Sequence, residues 1–178
     1  MRYISGMPVN GIALRTPNEG DAQAMIDMML GCYAETEFLS STPEEFRVTV
    51  EDELRFMQRF EASERECMIS AFADGKLIGN VSVRQVSGAK RMRHRANIGI
   101  SVLKDYWGRG VGSMLMDAAI QTAESAGYAQ IELEVAADNE RAIRLYERFG
   151  FREYGRCPRA LKRENGYADE IGMVKILK

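Results

Sequence analysis

Residues 98–126 run from an apolar strand pattern, through a turn of alternate glycines, straight into an amphipathic helix. No other stretch constrains the fold as strongly. The strand is Ile98-Gly-Ile-Ser-Val-Leu103 and the turn is Asp105-Tyr-Trp-Gly-Arg-Gly-Val-Gly-Ser113. From Gly110 to Ala126, the residues Val111, Met114, Leu115, Ala118, Ala119, Thr122 and Ala123 fall on one helical stripe, and Gly127 is a C-terminal stop. Glycines lack Cβ atoms, so a ligand can approach this backbone closely. The first N–H groups of the helix have no intrahelical partner and sit at the positive end of its dipole. The turn therefore suits an anion such as phosphate, and Arg109 adds a cation to it.

Glycine spacing alone leaves several readings. A P-loop requires Gly-Lys-Ser/Thr; Val111-Gly112-Ser113 stands there instead, which discards it. A dinucleotide fingerprint requires a glycine where Ser113 stands. Glu132 does follow Gly112 by twenty residues, but the turn comes late for a whole dinucleotide fold. The plain alternative is a tight strand–helix connection that binds nothing.

The flanking segments supply matching elements. Residues 12–15 read as a strand. Residues 19–36 read as a helix capped by Asn18 or Asp21, with Ala22, Met25, Ile26, Met29 and Leu30 on one face. Thr42-Pro43-Glu44-Glu45 opens a second helical stretch in which Val50, Leu54, Met57 and Phe60 recur. Residues 68–73 and 76–86 form a predicted hairpin about Asp74-Gly75, and 88–95 a basic loop. Residues 131–135 alternate as a strand. Residues 139–149 read as a helix capped by Asp138 or Asn139, with Ala142, Ile143, Tyr146 and Phe149 on one face and Gly150 as its stop. Residues 152–156 and 170–177 are the last predicted strands, with a turn near Asn165-Gly166. This order predicts a mixed α/β domain with one parallel step in its second half.

Composition excludes several classes. The 178 residues, 46% hydrophobic, fit one domain with a real core. A net charge of -2 and a pI near 5.6 argue against broad nucleic-acid binding. Cys32, Cys67 and Cys157 form no CxxC pair, which points to a reduced compartment without a disulfide framework or zinc site. The lone His94 argues against a histidine metal site or a Ser–His triad. No run of about eighteen apolar residues exists to span a membrane. Residues 1–10 read as a flexible extension rather than a secretory signal, so the cytoplasm is the expected location.

Two motifs in order carry a resemblance. The first is Tyr106-Trp-Gly-Arg-Gly-Val-Gly-Ser113 with its helix. The second is Glu134-Val-Ala-Ala-Asp-Asn139, then Ala142, Leu145-Tyr146 and Gly150-Phe151. Residues 98–151 resemble the core of the GNAT superfamily of N-acetyltransferases. The tail Asn165-Gly166-Tyr167, with Asp169 and Met173, is similar to tails of bacterial amino-acid, polyamine and ribosomal-protein N-acetyltransferases. The resemblance implies one domain over 1–178, with a mixed sheet of about seven strands flanked by about four helices. It implies acetyl-coenzyme A as cosubstrate, no metal, and sometimes a homodimer. It places the pyrophosphate on Trp107, Gly108, Arg109, Gly110, Val111, Gly112 and Ser113. It places the pantetheine arm on the backbone of Val102 and Leu103 and on Asn139, beside Ala142. Tyr146 becomes the general acid and Glu134, twelve residues earlier, the general base. Trp107 departs from the family pattern, which has Gln or Arg there.

Each of these residues also has a plainer reading. Tyr146 suits a core position, Glu134 a solvated strand, Asn139 a helix cap, and Glu132 a structural ion pair. The acceptor is expected between the N-terminal helices and the final hairpin. There Glu35 and Glu37 attract an amine and Tyr33, Phe38 and Tyr167 wall the pocket. A small primary amine such as an amino acid is the favoured acceptor, with a protein N-terminus or a polyamine as alternatives. A non-catalytic acyl-coenzyme A-binding module and a nucleotide-binding oxidoreductase are the competing classes.

Overall fold

Local patterns lay down eleven elements in the computed structural model, which describes residues 11–177. The predicted N-terminal extension lies outside the described residues. The strands are β1 (Ile12–Arg15), β2 (Cys67–Ala73), β3 (Lys76–Gln85), β4 (Arg95–Val102), β5 (Gln130–Ala136), β6 (Arg152–Arg163) and β7 (Gly166–Ile176). The helices are α1 (Ala22–Glu35), α2 (Val50–Ala62), α3 (Val111–Ser125) and α4 (Glu140–Arg148). Among the described residues, no helix is long and apolar enough to cross a membrane.

Helix starts follow from capping chemistry. Thr49 and Asp52 cap α2 reciprocally, and Asn18 with Asp21 does the same for a short 3₁₀ turn before α1. Asp74 and Gly75, at φ 48° and 79°, make the tight turn between β2 and β3 that their sequence predicts.

The seven strands form one sheet in the order β1-β2-β3-β4-β5-β7-β6, antiparallel except for the β4/β5 pair. Two apolar clusters cover its faces. On one side, Val111, Leu115 and Ala119 of α3 pack with Ile69, Val81, Ile98, Leu133, Tyr146 and Phe151. On the other, Met25 and Met28 of α1 and Met57 and Phe60 of α2 pack with Met68 and Phe72.

Several predicted boundaries move. The second helix does not open at Thr42: residues 43–45 form a turn, and α2 starts at Val50, where Thr49 supplies the cap. β4 begins at Arg95 rather than Ile98, because Arg95 already pairs with Gln130. β6 and β7 run on to the turn at Gly166, so residues 157–163 and 166–169 are strand too. That arm is mostly exposed, so it lacks the polar–apolar alternation that marks a half-buried strand.

β4 and β5 pair only at Arg95↔Gln130, Ala96↔Ile131 and Asn97↔Glu132, and beyond that they part. The Arg95 guanidinium holds the last pair shut, with Nη2 donating to Glu132 Oε2 at 2.6 Å. Glu132 is buried, and hydrogen bonding from Arg95 holds its carboxyl below the usual 4.5 despite desolvation. A depressed carboxyl contributes stability that is present above its ordinary pKa and is lost as pH falls through the folded value. Thermal unfolding should show Glu132→Gln a few degrees less stable than wild type near pH 7. The gap should close as pH falls from about 5 towards about 2. Melting curves that stay parallel across that range would rule the pair out as an acid-sensitive clamp.

Candidate active site

The parting of β4 and β5 leaves a gap in the sheet. Strand geometry sends successive backbone groups to opposite edges. The Leu103 N–H points away from the gap and donates to Ile78 O at 3.0 Å. The groups of Ile100 and Val102 therefore face the gap, where β5 no longer pairs with them. Trp107 takes one of them, its Nε1 donating to Val102 O at 2.7 Å. The unusual tryptophan thus ties the glycine turn to the strand that precedes it.

Gly110 caps α3 at φ 86°, a left-handed conformation that glycine adopts freely, and no side chain caps the helix. The first intrahelical bond from this end runs from Met114 N to Gly110 O. The amides of Val111, Gly112 and Ser113 are thus uncommitted donors at the positive helix end. A Cβ built on Gly110 meets nothing within 4 Å, so open space lies against the turn.

Gap and turn share one cleft of about 340 Å³. Of the residues expected at a cofactor, Val102, Trp107, Gly108, Gly110, Gly112, Ser113, Asn139, Ala142 and Tyr146 line it. Leu103, Arg109 and Val111 do not. Val111 is buried in the core, Leu103 packs on the α1 side, and Arg109 lies 5.2 Å from the Tyr106 ring centroid. Asn139 caps α4, its Oδ1 accepting from Ala142 N at 3.2 Å, so capping and lining coexist.

Tyr146 stands on α4 and lines the cleft. The next turn fixes it: Phe151 N donates back to Tyr146 O at 3.1 Å, and the Phe151 ring lies 6.0 Å from the tyrosine ring. Burial alone pushes the Tyr146 phenol up to about 12. The hydroxyl is therefore a proton donor throughout the ordinary pH range.

Among the groups in the cleft that sequence reasoning missed are Ile100 and Arg141. Ile100 presents backbone to the gap. Arg141 lies over the Trp107 ring at 4.9 Å and beside Gly108. A signal for Arg141 was present, since a cation in the first turn of a helix opposes its dipole and needs another role.

Glu134 does not line this cleft. Its neighbours Leu133 and Val135 pack in the cluster that holds Tyr146, so its carboxylate emerges on the opposite face of the sheet. There it accepts a hydrogen bond from Asn97 Nδ2 at 3.0 Å, just past the last β4/β5 pair. Glu134 and Tyr146 thus flank the gap from its two faces.

The expected acceptor residues separate. Glu35 and Phe38 line the cleft, but Glu35 Oε2 accepts from Lys104 N at 2.7 Å. Glu37 faces Arg163 at 4.0 Å, and Arg163 also binds Asp138 at 2.6 Å and overlies Phe38. Those contacts tie the final hairpin to the loop after α1. Tyr33 packs on Phe46, and Tyr167, 55% exposed, lies under Arg159. The basic loop before β4 sits at the far end of that strand from the turn.

Comparison with known proteins gives a consistent result. A model of the acetyltransferase (GNAT) family matches residues 32–151. An L-amino acid N-acetyltransferase of Escherichia coli is 32% identical over 107 residues, 60% of this chain and 65% of that protein. The chain spans between 40 and 65% of the lengths of the first curated relatives it matches. A GNAT-family acetyltransferase from Streptococcus pneumoniae superposes with a TM-score of 0.88 at 27% identity, over 94% of this chain and 99% of that one. A putative acetyltransferase from Salmonella typhimurium, solved with its cofactor acetyl-CoA, superposes at 0.84 with 18% identity over 95% of each chain.

Proposed function

Because this chain belongs to the GNAT family of acetyltransferases, we propose that it moves an acetyl group from acetyl-coenzyme A to a primary amine, with a small acceptor such as an amino acid favoured. One observation carries the reading: an open gap between β4 and β5 meets an uncapped glycine turn in a single cleft. The residues fit the group. Free amides at Val111, Gly112 and Ser113, with Arg141 beside Gly108 in the same turn, suit a pyrophosphate. Unpaired backbone at Ile100 and the Val102 N–H suit an amide-bearing arm laid along β4 as a strand would be. Bound acetyl-coenzyme A supplies an acyl group on a thioester.

The chain's own groups then divide the work by face. A primary amine of the lysine type has a pKa of about 10.4 and must lose a proton before it attacks. Glu134 takes that proton, directly or through water, on the α1–α2 face of the sheet. An amide at the gap, Ile100 or Val102, donates to the carbonyl oxygen as negative charge grows there. Tyr146, on the other face, donates its proton to the departing sulfur. Attack from one face and departure towards the other need no rearrangement of the sheet.

Thermal shift tests the binding half. Acetyl-coenzyme A at about a hundred times its Kd should add about 2.7 kcal/mol of stability, or roughly 5–10 °C for a chain of this size. NAD should leave the midpoint unmoved. Release of free thiol on a panel of amines tests the chemical half. Binding without thiol release from any amine would make the protein an acyl-coenzyme A-binding module instead.

A further inference from the structure

The α1–α2 face of the sheet holds a second, polar cleft of about 410 Å³, lined by Arg84, Arg95, Asn97, Glu132, Glu134 and Tyr154 among others. Most of its charges are already matched. Arg95 is bound to Glu132, and Arg59 at its edge is bound to Glu66 at 3.1 Å. Arg84 and Glu134 remain, one cation and one anion, and no salt bridge joins them among the described residues.

Asn97 stands between the two. Its Nδ2 donates to Glu134 at 3.0 Å, and its Oδ1 accepts from Arg84 Nη2 at 3.4 Å. Register puts Asn97 opposite both Arg84 on β3 and Glu132 on β5, so the row is built on the sheet rather than on a loop. Arg84 Nε is buried and has no hydrogen-bond partner among the described residues. An orphaned buried donor on a guanidinium is costly unless an acceptor arrives from outside. Beside Glu134, Tyr154 is held by Gly172, where a Cβ would meet its ring carbon at 2.6 Å. The row thus offers a carboxylate and a guanidinium held one amide apart, matching a molecule with an ammonium and a carboxylate on one carbon atom.

We propose that this cleft selects α-amino acids as acceptors, with Arg84 recognising the α-carboxylate while Glu134 receives the amine, and with Asn97 as the positioning residue between them. The proposal rests on the acetyltransfer reading above and adds the residues that would recognise the acceptor's carboxylate. Arg84 Nε and Nη2 form the edge that binds a carboxylate with two parallel hydrogen bonds. A protein N-terminus or a polyamine carries no carboxylate next to its amine, so neither completes the row.

The test compares free L-amino acids with their α-amides by thiol release, in wild type, Arg84→Gln and Arg84→Lys. Loss of charge-assisted hydrogen bonds should lower kcat/KM for the amino acid about tenfold to a hundredfold in Arg84→Gln. The loss should appear as a higher KM with kcat little changed. The amide, run on the same preparation, should change by less than about threefold, which separates the effect from misfolding. Arg84→Lys should restore part of the loss, since it keeps the charge but not the planar fork. Equal losses on acid and amide, or wild-type turnover indifferent to the carboxylate, would overturn this proposal and leave acetyltransfer standing. If no amine releases thiol, the acetyltransfer reading fails, and thermal shift by the amino acids themselves decides the cleft. A shift seen with amino acids, absent with amides and lost in Arg84→Gln sustains the carboxylate site; no such shift overturns it.

Discussion

Replacing Tyr146 with Phe should lower kcat by about a hundredfold to ten-thousandfold, the usual worth of a positioned proton donor. Affinity for coenzyme A should hardly change. The ring keeps its contact with Phe151 and its place in the core, and only the hydroxyl is lost. Stability should hold or rise, because burial is the sole influence on that phenol and no hydrogen bond is broken by its removal. The pH dependence is the sharper check. With the phenol pushed up to about 12, the tyrosine stays protonated while an amine and a carboxylate titrate. The deficit of the variant should therefore be constant from about pH 6 to about pH 10. A wild-type kcat in Tyr146→Phe would reduce the residue to a core tyrosine that happens to line a cleft.

The second large effect is expected at Gly110, where Asp would place the chain's own carboxylate at the uncapped N-terminus of α3. Space is no obstacle, since a Cβ there meets nothing within 4 Å. The left-handed φ of 86° costs an aspartate about 1–2 kcal/mol. Its carboxylate offsets part of that by accepting from the free amides and by sitting at the positive helix end. Net stability should therefore move little. Binding of acetyl-coenzyme A should weaken by a hundredfold or more, since the donors are satisfied and an anion now meets an anion. Thermal shift with acetyl-coenzyme A measures both effects on one sample. Retained affinity in a folded Gly110→Asp would mean that the pyrophosphate is held elsewhere, and the free helix end would have no ligand role.

These two residues were legible before any coordinates, and the reason is local. Gly110 belongs to a turn whose chemistry needs only its immediate neighbours, and Tyr146 lies on a helix whose cap, stripe and glycine stop are contiguous. The same holds for the hairpin at Asp74-Gly75 and for the cap of α2. The distal arm of β6 and β7 was not legible beyond its turn. Its exposed faces leave no alternation, and only pairing to each other makes the two segments strands.

By itself the sequence determined most of the elements, their order, the glycine turn at the start of α3 and the tyrosine on the helix that follows, because periods of 3.6 and 2 and the chemistry of caps and glycines act over a few residues. Tertiary structure decided everything that depends on where two strands stop pairing. The gap opens just past Asn97 and Glu132, held by an ion pair between residues 37 apart in the chain. That one long-range event frees the backbone of Ile100 and Val102 and puts Glu134 and Tyr146 on opposite faces. It also leaves Arg84, which no local pattern distinguished, one amide away from Glu134 and without a salt bridge among the described residues. Such a placement follows from sheet register and packing between distant segments, and a local reading of the chain contains neither.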